Sequence, residues 1–180
     1  MKITVVTPPA VEPVSTAEAK LFLRVDHAAE DALIASLIVA ARETVEAFTA
    51  RALVTRRVRE TRSSWPVRAD GALRLALAPV AAVHALRVVK ADGAFETLGG
   101  SVRIEDDLIW TPSLPAPALP LAGVEIEYDA GYGAAAANVP SPLRQAVLLA
   151  VAGLYESREG ESAALAAARV LAAPYARVRL

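Results

Sequence analysis

The sequence predicts an α+β fold: helical N- and C-terminal parts forming one helical bundle, with a central antiparallel β insert closed as a small sandwich or barrel. Three observations predict it. Ile34, Ile38, Ala41, Val45 and Phe48 follow a 4-3-4-3 spacing that puts them on one helical stripe, with Leu33, Leu37 and Ala40 on a second stripe beside it. A second helical segment contains an unbroken uncharged run from Gln145 to Tyr155. Between the two, short alternating runs are separated by close turn signals, the pattern of antiparallel strands. The expected organisation is 1–53 as an N-terminal arm and helices, 54–128 as the β insert, and 129–180 as C-terminal helices and a basic tail, with 1–53 and 129–180 packed together.

Each element has a local cause. Ile3, Val5 and Val6 can form a short strand in the arm, and Pro8, Pro9 and Pro13 forbid a helix there. The strand can sit in its own subunit's sheet or be swapped onto a neighbour, where it would blunt a sheet edge. Ser15-Thr16-Ala17-Glu18 is a capping-box pattern that starts a short helix, Thr16 to Arg24, with Ala19, Leu21, Phe22 and Leu23 to bury. Asp26 or His27 then caps the long helix, whose acidic first residues suit a helix N-terminus. From Val54 the period becomes two. Strands are expected at Val54 to Trp65, Leu73 to Leu77, Val83 to Lys90, Phe95 to Leu98, Val102 to Ile104, Leu108 to Trp110 and Val124 to Tyr128. Asp92-Gly93, Gly99-Gly100 and Asp106-Asp107 mark turns, and Pro112, Pro115, Pro117 and Pro120 make Thr111 to Pro120 a loop. Ser141 and Pro142 suit the cap and first position of the second apolar helix, Gly160 breaks it, and Ser162 to Ala172 is a last helix ended by Pro174.

Composition excludes several classes. A chain of 180 residues can bury roughly 70% of its unfolded surface without staples. The absence of cysteine excludes disulfides, thiolate metal sites and cysteine nucleophiles, and fits a cytoplasmic setting. Nineteen basic and twenty acidic residues give a formal charge of -1, against a general nucleic-acid binder. Met1 to Val11 lacks a signal-peptide pattern, and no apolar run approaches the ~20 residues needed to span a bilayer, so no membrane partner is expected.

Chemistry is sparse. His27 and His84 have no apparent nucleophile nearby, and the three acids Glu105, Asp106 and Asp107 alternate in direction and read as a turn. Gly131-Tyr132-Gly133 lacks the order of a phosphate loop and reads as a link between strand and helix. No catalytic residue, no metal site and no cofactor is expected. Arg56, Arg57, Arg59 and Arg62 form a cluster with only Glu60 among them. It can be a solvated or ion-paired strand face, to which Glu125 and Glu127 of one strand face could contribute, or a contact to DNA phosphates or a protein partner. The tail after Glu161 carries Arg169, Arg177 and Arg179 and no acid.

Two helices apolar nearly all round need cover on more than one side, and neighbouring subunits can supply it. The expected subunit interface is Ile34, Leu37, Ile38, Ala41, Val45 and Phe48 on the first helix, with Leu143, Val147, Leu148, Val151, Leu154 and Tyr155 on the second.

Several segments together resemble one family. Pro13-Val14-Ser15-Thr16-Ala17-Glu18-Ala19-Lys20, then Leu23-Arg24-Val25-Asp26, looks like the opening of the phage head–tail connector (adaptor) family. Glu30-Asp31-Ala32-Leu33-Ile34, Ala41-Arg42, Glu46-Ala47-Phe48-Thr49 and Arg51-Ala52-Leu53 resemble its first long helix. Tyr128-Asp129-Ala130-Gly131-Tyr132-Gly133, Val139-Pro140, Leu143-Arg144-Gln145-Ala146, Tyr155-Glu156-Ser157-Arg158-Glu159 and Leu171-Ala172-Ala173-Pro174-Tyr175 are similar to its C-terminal half. The resemblance spans nearly the whole chain, and the β region matches in layout more than in residues.

What the resemblance implies is a structural protein of long-tailed double-stranded-DNA phages, prophages or gene transfer agents. Such a protein forms a homo-oligomeric ring, usually of twelve subunits, between the portal and the tail. It extends the channel for transient passage of double-stranded DNA and meets stopper or tail-completion proteins. Its place is the head–tail junction of the virion or phage-like particle, after assembly in the bacterial cytoplasm. By the same resemblance Tyr175, Arg177 and Arg179 are candidates for portal contact, and Pro174 would let the tail extend. The alternative is a nucleic-acid-binding module using the Arg56 to Arg62 cluster and the basic C-terminal tail, for which salt-dependent duplex binding is the discriminating observation.

Overall fold

A computed structural model describes residues 1–105, 107–119, 123–156 and 163–177. Asp106, Pro120, the Gly160 break with its flanking residues 157–162, and Arg179 lie outside the described residues. In chain order the elements are β1 (Lys2–Thr7), α1 (Thr16–Leu23), α2 (Asp31–Thr49), β2 (Arg56–Arg62), β3 (Leu73–Arg74), β4 (Val80–Val89), β5 (Phe95–Thr97), β6 (Arg103–Glu105), β7 (Leu108–Trp110), β8 (Val124–Ala130), α3 (Ser141–Glu156) and α4 (Ala163–Ala172), with 3-10 turns at Ala136–Asn138 and Ala173–Tyr175.

The expected single helical bundle carrying a closed β insert is not what forms. The chain is a mixed α+β molecule whose described residues hold four α-helices and eight strands in two antiparallel sheets. One sheet has the linear order β1-β2-β8-β4-β5 and the other β3-β7-β6, so neither is a small closed barrel. The sheet region also takes in the N-terminus, because β1 pairs antiparallel with β2, Lys2 opposite Thr61 and Val5 opposite Val58, within its own chain. The helices have 8, 19, 16 and 10 residues, too unequal for a bundle of matched lengths. By contact density the chain divides into two units, Met1–Pro9 with Thr55–Gly131, and Ala10–Val54 with Tyr132–Leu180.

In the sheet unit, β8 is the central strand and its alternation is complete. Val124, Ile126, Tyr128 and Ala130 are buried, while Glu125, Glu127 and Asp129 face the other way. Partner strands β2 and β4 flank it in antiparallel register, Val58 and Val83 both opposite Tyr128. The run expected as a strand from Leu73 to Leu77 pairs only over Leu73–Arg74, opposite Leu108 and Ile109. Ala76 N–H instead donates to the Glu60 carboxylate at 2.9 Å, and Leu77 N–H to the Tyr128 hydroxyl at 3.2 Å. Side chains from two other strands, β2 and β8, thus take the donors that a ladder would have used. At Asp92-Gly93 the turn forms as expected, with Gly93 at φ 82° and Lys90 N–H bonded to the Ala94 carbonyl.

In the helical unit, α1 starts on a complete capping box: Ser15 Oγ accepts from Glu18 N–H at 3.2 Å and Glu18 Oε2 accepts from Ser15 N–H at 2.8 Å. It ends on Arg24 in the left-handed region, φ 61°. The long helix starts at Asp31 with Glu30 at its cap, and the capping bond expected from Asp26 or His27 is not made. Its core face is Ile34, Ile38, Ala41, Val45 and Thr49, packed with Leu143, Ala146, Val147, Ala150 and Val151 of α3 and Ala168 and Ala172 of α4 in one cluster.

Candidate assembly surfaces

The expected subunit interface divides once the fold is known. Ile34, Ile38, Ala41, Val45, Leu143, Val147 and Val151 are at most 3% exposed and belong to the subunit's own core. They have no surface to offer a neighbour in this conformation. The reason is the position of α3, which packs against α1, α2 and α4, so the same chain covers its apolar sides. Leu37, Leu148, Leu154 and Tyr155 pack part-buried against that core, and Phe48 remains 41% exposed.

Sequence reasoning assigned Leu21, Phe22 and Leu23 of α1 to the interior. Leu23 is half-buried, but Leu21 is 83% exposed and Phe22 38% exposed. Leu33 and Val39 on α2 and Val170 on α4 are exposed as well. Eight residues of α1 present too short a face to bury four apolar side chains: Ala19 faces in, and Leu21, two positions on, points away.

A polar network fixes the segment before α1. Arg42 is 5% exposed and Glu46 4% exposed, and their side chains bond at 2.9 Å across one helical turn. Arg42 Nε also donates to Glu12 at 2.8 Å, and Glu46 Oε1 accepts from Leu53 N–H at 2.8 Å. Burial works against the charged form of Arg42, but the charges and hydrogen bonds of Glu46 and Glu12 outweigh it and hold the guanidinium ionised. The i,i+4 spacing of Arg42 and Glu46 along the buried stripe was the available signal for this network. Glu60 gave no such signal: it is fully buried in β2, where it accepts from Tyr128 Oη, Ala76 N–H and Arg62 Nε.

The arginine cluster does not form one basic patch. The two-residue period of β2 sends Arg57 and Arg59 to the face carrying Glu125, Glu127 and Asp129, while Arg62 pairs with Glu60 of its own strand. Arg57 Nε lies 3.0 Å from Asp129, Arg59 Nη2 lies 3.0 Å from Glu127, and Arg87 of β4 reaches both Glu125 and Glu127. His84 Nε2 lies 2.7 Å from Asp129. Guanidiniums from β2 and β4 therefore flank a row of carboxylates on β8, an ion-paired strand face. Hydrogen bonding from Arg59 lowers the Glu127 pKa below its ordinary value. Burial raises that of Asp129, but hydrogen bonds from Arg57 and His84 outweigh it, and the net direction is down.

The C-terminal segment is tied back rather than extended through residue 177. Pro174 sits in the 3-10 turn Ala173–Tyr175. Arg51 Nε donates to the Tyr175 carbonyl at 2.7 Å, and Arg177 N–H donates to the Thr49 carbonyl at 3.1 Å. Tyr175 packs part-buried against the helical core, so of the three portal candidates the backbone fixes Tyr175 and Arg177 beside the end of α2. Among the described residues no group of three or more His, Asp or Glu is placed to hold a metal ion, and no helix is long and apolar enough to cross a membrane.

These surfaces belong to a fold that is already known in assembled particles. Residues 15–82 match the family described as Phage gp6-like head-tail connector protein. Three solved chains match along all of this chain and 97% of their own length. They come from a native gene transfer agent virion (34% identity, TM-score 0.81), the neck of an empty gene transfer agent particle computed with C6 symmetry (32%, 0.80), and the neck of a native one computed with C12 symmetry (32%, 0.79). The chain belongs to the phage head–tail connector family. No curated protein matches it.

As a head–tail connector, the molecule is a structural component of the particle. The connector's ion-paired β2–β8–β4 face offers balanced charge in place of a bare basic strip. Exposed large apolar side chains of its helices include Leu21, Phe22, Leu33, Val39, Phe48 and Val170, and the sheet unit carries others at Val5, Val6, Val67 and Phe95.

Proposed function

We propose that this connector forms a closed homo-oligomeric ring of twelve copies at the neck of a phage-like particle, between portal and tail, and extends the channel through which double-stranded DNA passes. The carrying observation is the full-length match, at 32–34% identity, to chains of gene transfer agent particles, including necks computed with cyclic symmetry. A closed ring needs a heterologous contact between two different faces of each copy. In this reading the still-accessible members of the interface set, Leu37, Phe48, Leu148, Leu154 and Tyr155, contribute to subunit contact. Tyr175, Arg177 and Arg179 meet the portal, and stopper or tail-completion proteins dock on the tail side. Assembly takes place in the bacterial cytoplasm, and the role is binding rather than catalysis.

Pairing of Arg57, Arg59 and Arg87 with Glu125, Glu127 and Asp129 supports a conduit over a DNA-binding module. Each unpaired phosphate contact would add salt-sensitive affinity, and a conduit has to let DNA slide. The test is negative-stain microscopy of the protein mixed with its cognate portal. A ring of added density on one face of the portal, with no retention of duplex DNA at physiological salt, is expected. Absence of that density, together with duplex binding whose salt slope reports several phosphate contacts, would overturn the proposal.

A further inference from the structure

The helical unit carries an exposed apolar knob and a separate apolar groove. The knob is Leu21 with Phe22 on α1, and Leu21 at 83% is the most exposed large hydrophobic side chain among the described residues. Single exposed leucines are common on protein surfaces. Here two adjacent apolar side chains stand out on a helix that is held firmly by its capping box and by Arg144, which bonds Glu18 and the Pro13 carbonyl. The groove has Thr44 and Phe48 of α2 and Leu165 and Arg169 of α4 among its walls, with the small residues Ala150 and Ala168 beside them. It is a shallow apolar dimple of about 10 Å³, room for roughly one methyl group, which the tip of a leucine can enter.

The two features lie toward different ends of α2. Lys20, next to the knob, bonds Asp31 at the start of α2 at 2.6 Å, whereas the groove wall is Thr44 and Phe48. At 1.5 Å per residue those positions are about 20–25 Å further along the helix axis. A head-to-tail ring contact requires this arrangement: a projecting face and a receiving face that differ and that do not meet within one copy.

We infer that the Leu21–Phe22 knob of one connector seats in the α2–α4 groove of the next copy around the ring. This rests on the ring reading above, and the occupant is a second copy because the matched relatives come from necks computed with C6 and C12 symmetry, in which copies repeat around one axis. The contact makes α1 and its cap an assembly device, and the buried Arg42–Glu46–Glu12 network the anchor that aims it.

The chain has no cysteine, so introduced thiols report contacts without background. Leu21→Cys and Thr44→Cys combined, in assembled particles under mild oxidation, should give a reducible ladder of multimers, while each single variant stays monomeric. Thiols must come within disulfide reach, Cα atoms about 4.4–6.8 Å apart, for the ladder to form. No ladder from particles whose necks still show the ring overturns the knob-in-groove contact and leaves the connector reading standing. A disulfide to a different particle protein overturns the assignment of a second copy as occupant. Necks that lack the parental chain overturn the connector reading itself. Leu21→Glu provides a second readout. Because the side chain is solvent-exposed in the monomer, the thermal midpoint should hold while incorporation into necks falls on the order of tenfold or more. Unchanged incorporation overturns the inference.

Discussion

Replacing Arg42 by methionine tests how the subunit holds its N-terminal strap. The substitution keeps an unbranched side chain of similar reach and removes the charge. In the parent, Arg42 bonds Glu46 at 2.9 Å and Glu12 at 2.8 Å, and the Arg42 and Glu46 side chains are 6% and 5% exposed. Without the guanidinium, the buried Glu46 keeps the Leu53 N–H donor at 2.8 Å but loses its 2.9 Å ion pair. Breaking one partner of a buried pair costs about 3–5 kcal/mol. For a chain of this size each kcal/mol moves the thermal midpoint by about 2–4 °C, so a fall of roughly 6–20 °C is expected. Removing both charges with Arg42→Met and Glu46→Gln should recover part of the loss, since the amide oxygen still accepts from Leu53 N–H and neither member of the broken pair stays charged. The assay is chemical denaturation of both variants. A single variant that loses less than about 1 kcal/mol, or a double variant no better than the single, would refute the reasoning.

Three other outcomes are expected. Tyr128→Phe removes the hydroxyl that donates to Glu60 and accepts from Leu77 N–H, and leaves a buried carboxylate one donor short; a loss of about 1–3 kcal/mol by denaturant titration is expected. Gly123→Ala would put a Cβ 2.7 Å from the Ser63 carbonyl oxygen and from Pro117 Cβ, so a loss of about 1–3 kcal/mol from strain is expected, read as a lower denaturation midpoint. The lowered pKa values of Glu127 and Asp129 give the sheet face a contribution that is fully present above the ordinary carboxylate range, about pH 4–5, and is lost as pH falls through the folded values. A denaturation series from pH 7 to 3 should show that loss, and the double variant Glu127→Gln with Asp129→Asn should flatten it.

The sequence by itself determined most elements and their end points, because those depend on neighbours within a few residues. Ser15 and Glu18 specified the start of α1, the 4-3-4-3 spacing specified α2, and Val124 to Tyr128 specified which side of β8 faces inward. It also carried enough ordered segments to identify the family. Only the tertiary structure decided what covers each face. Period four says that Ile34 and Ile38 share a stripe but not that α3 of the same chain lies over it, so core residues were read as interface. Period two says that Arg57 and Arg59 share a face but not that β8 lies beside them with three acids, because that pairing joins residues about seventy positions apart. Leu21 looks the same in sequence whether it is covered or bare. Its exposure follows from how one short helix is pinned by Glu12, Arg42 and Arg144, contacts that only the folded chain brings together.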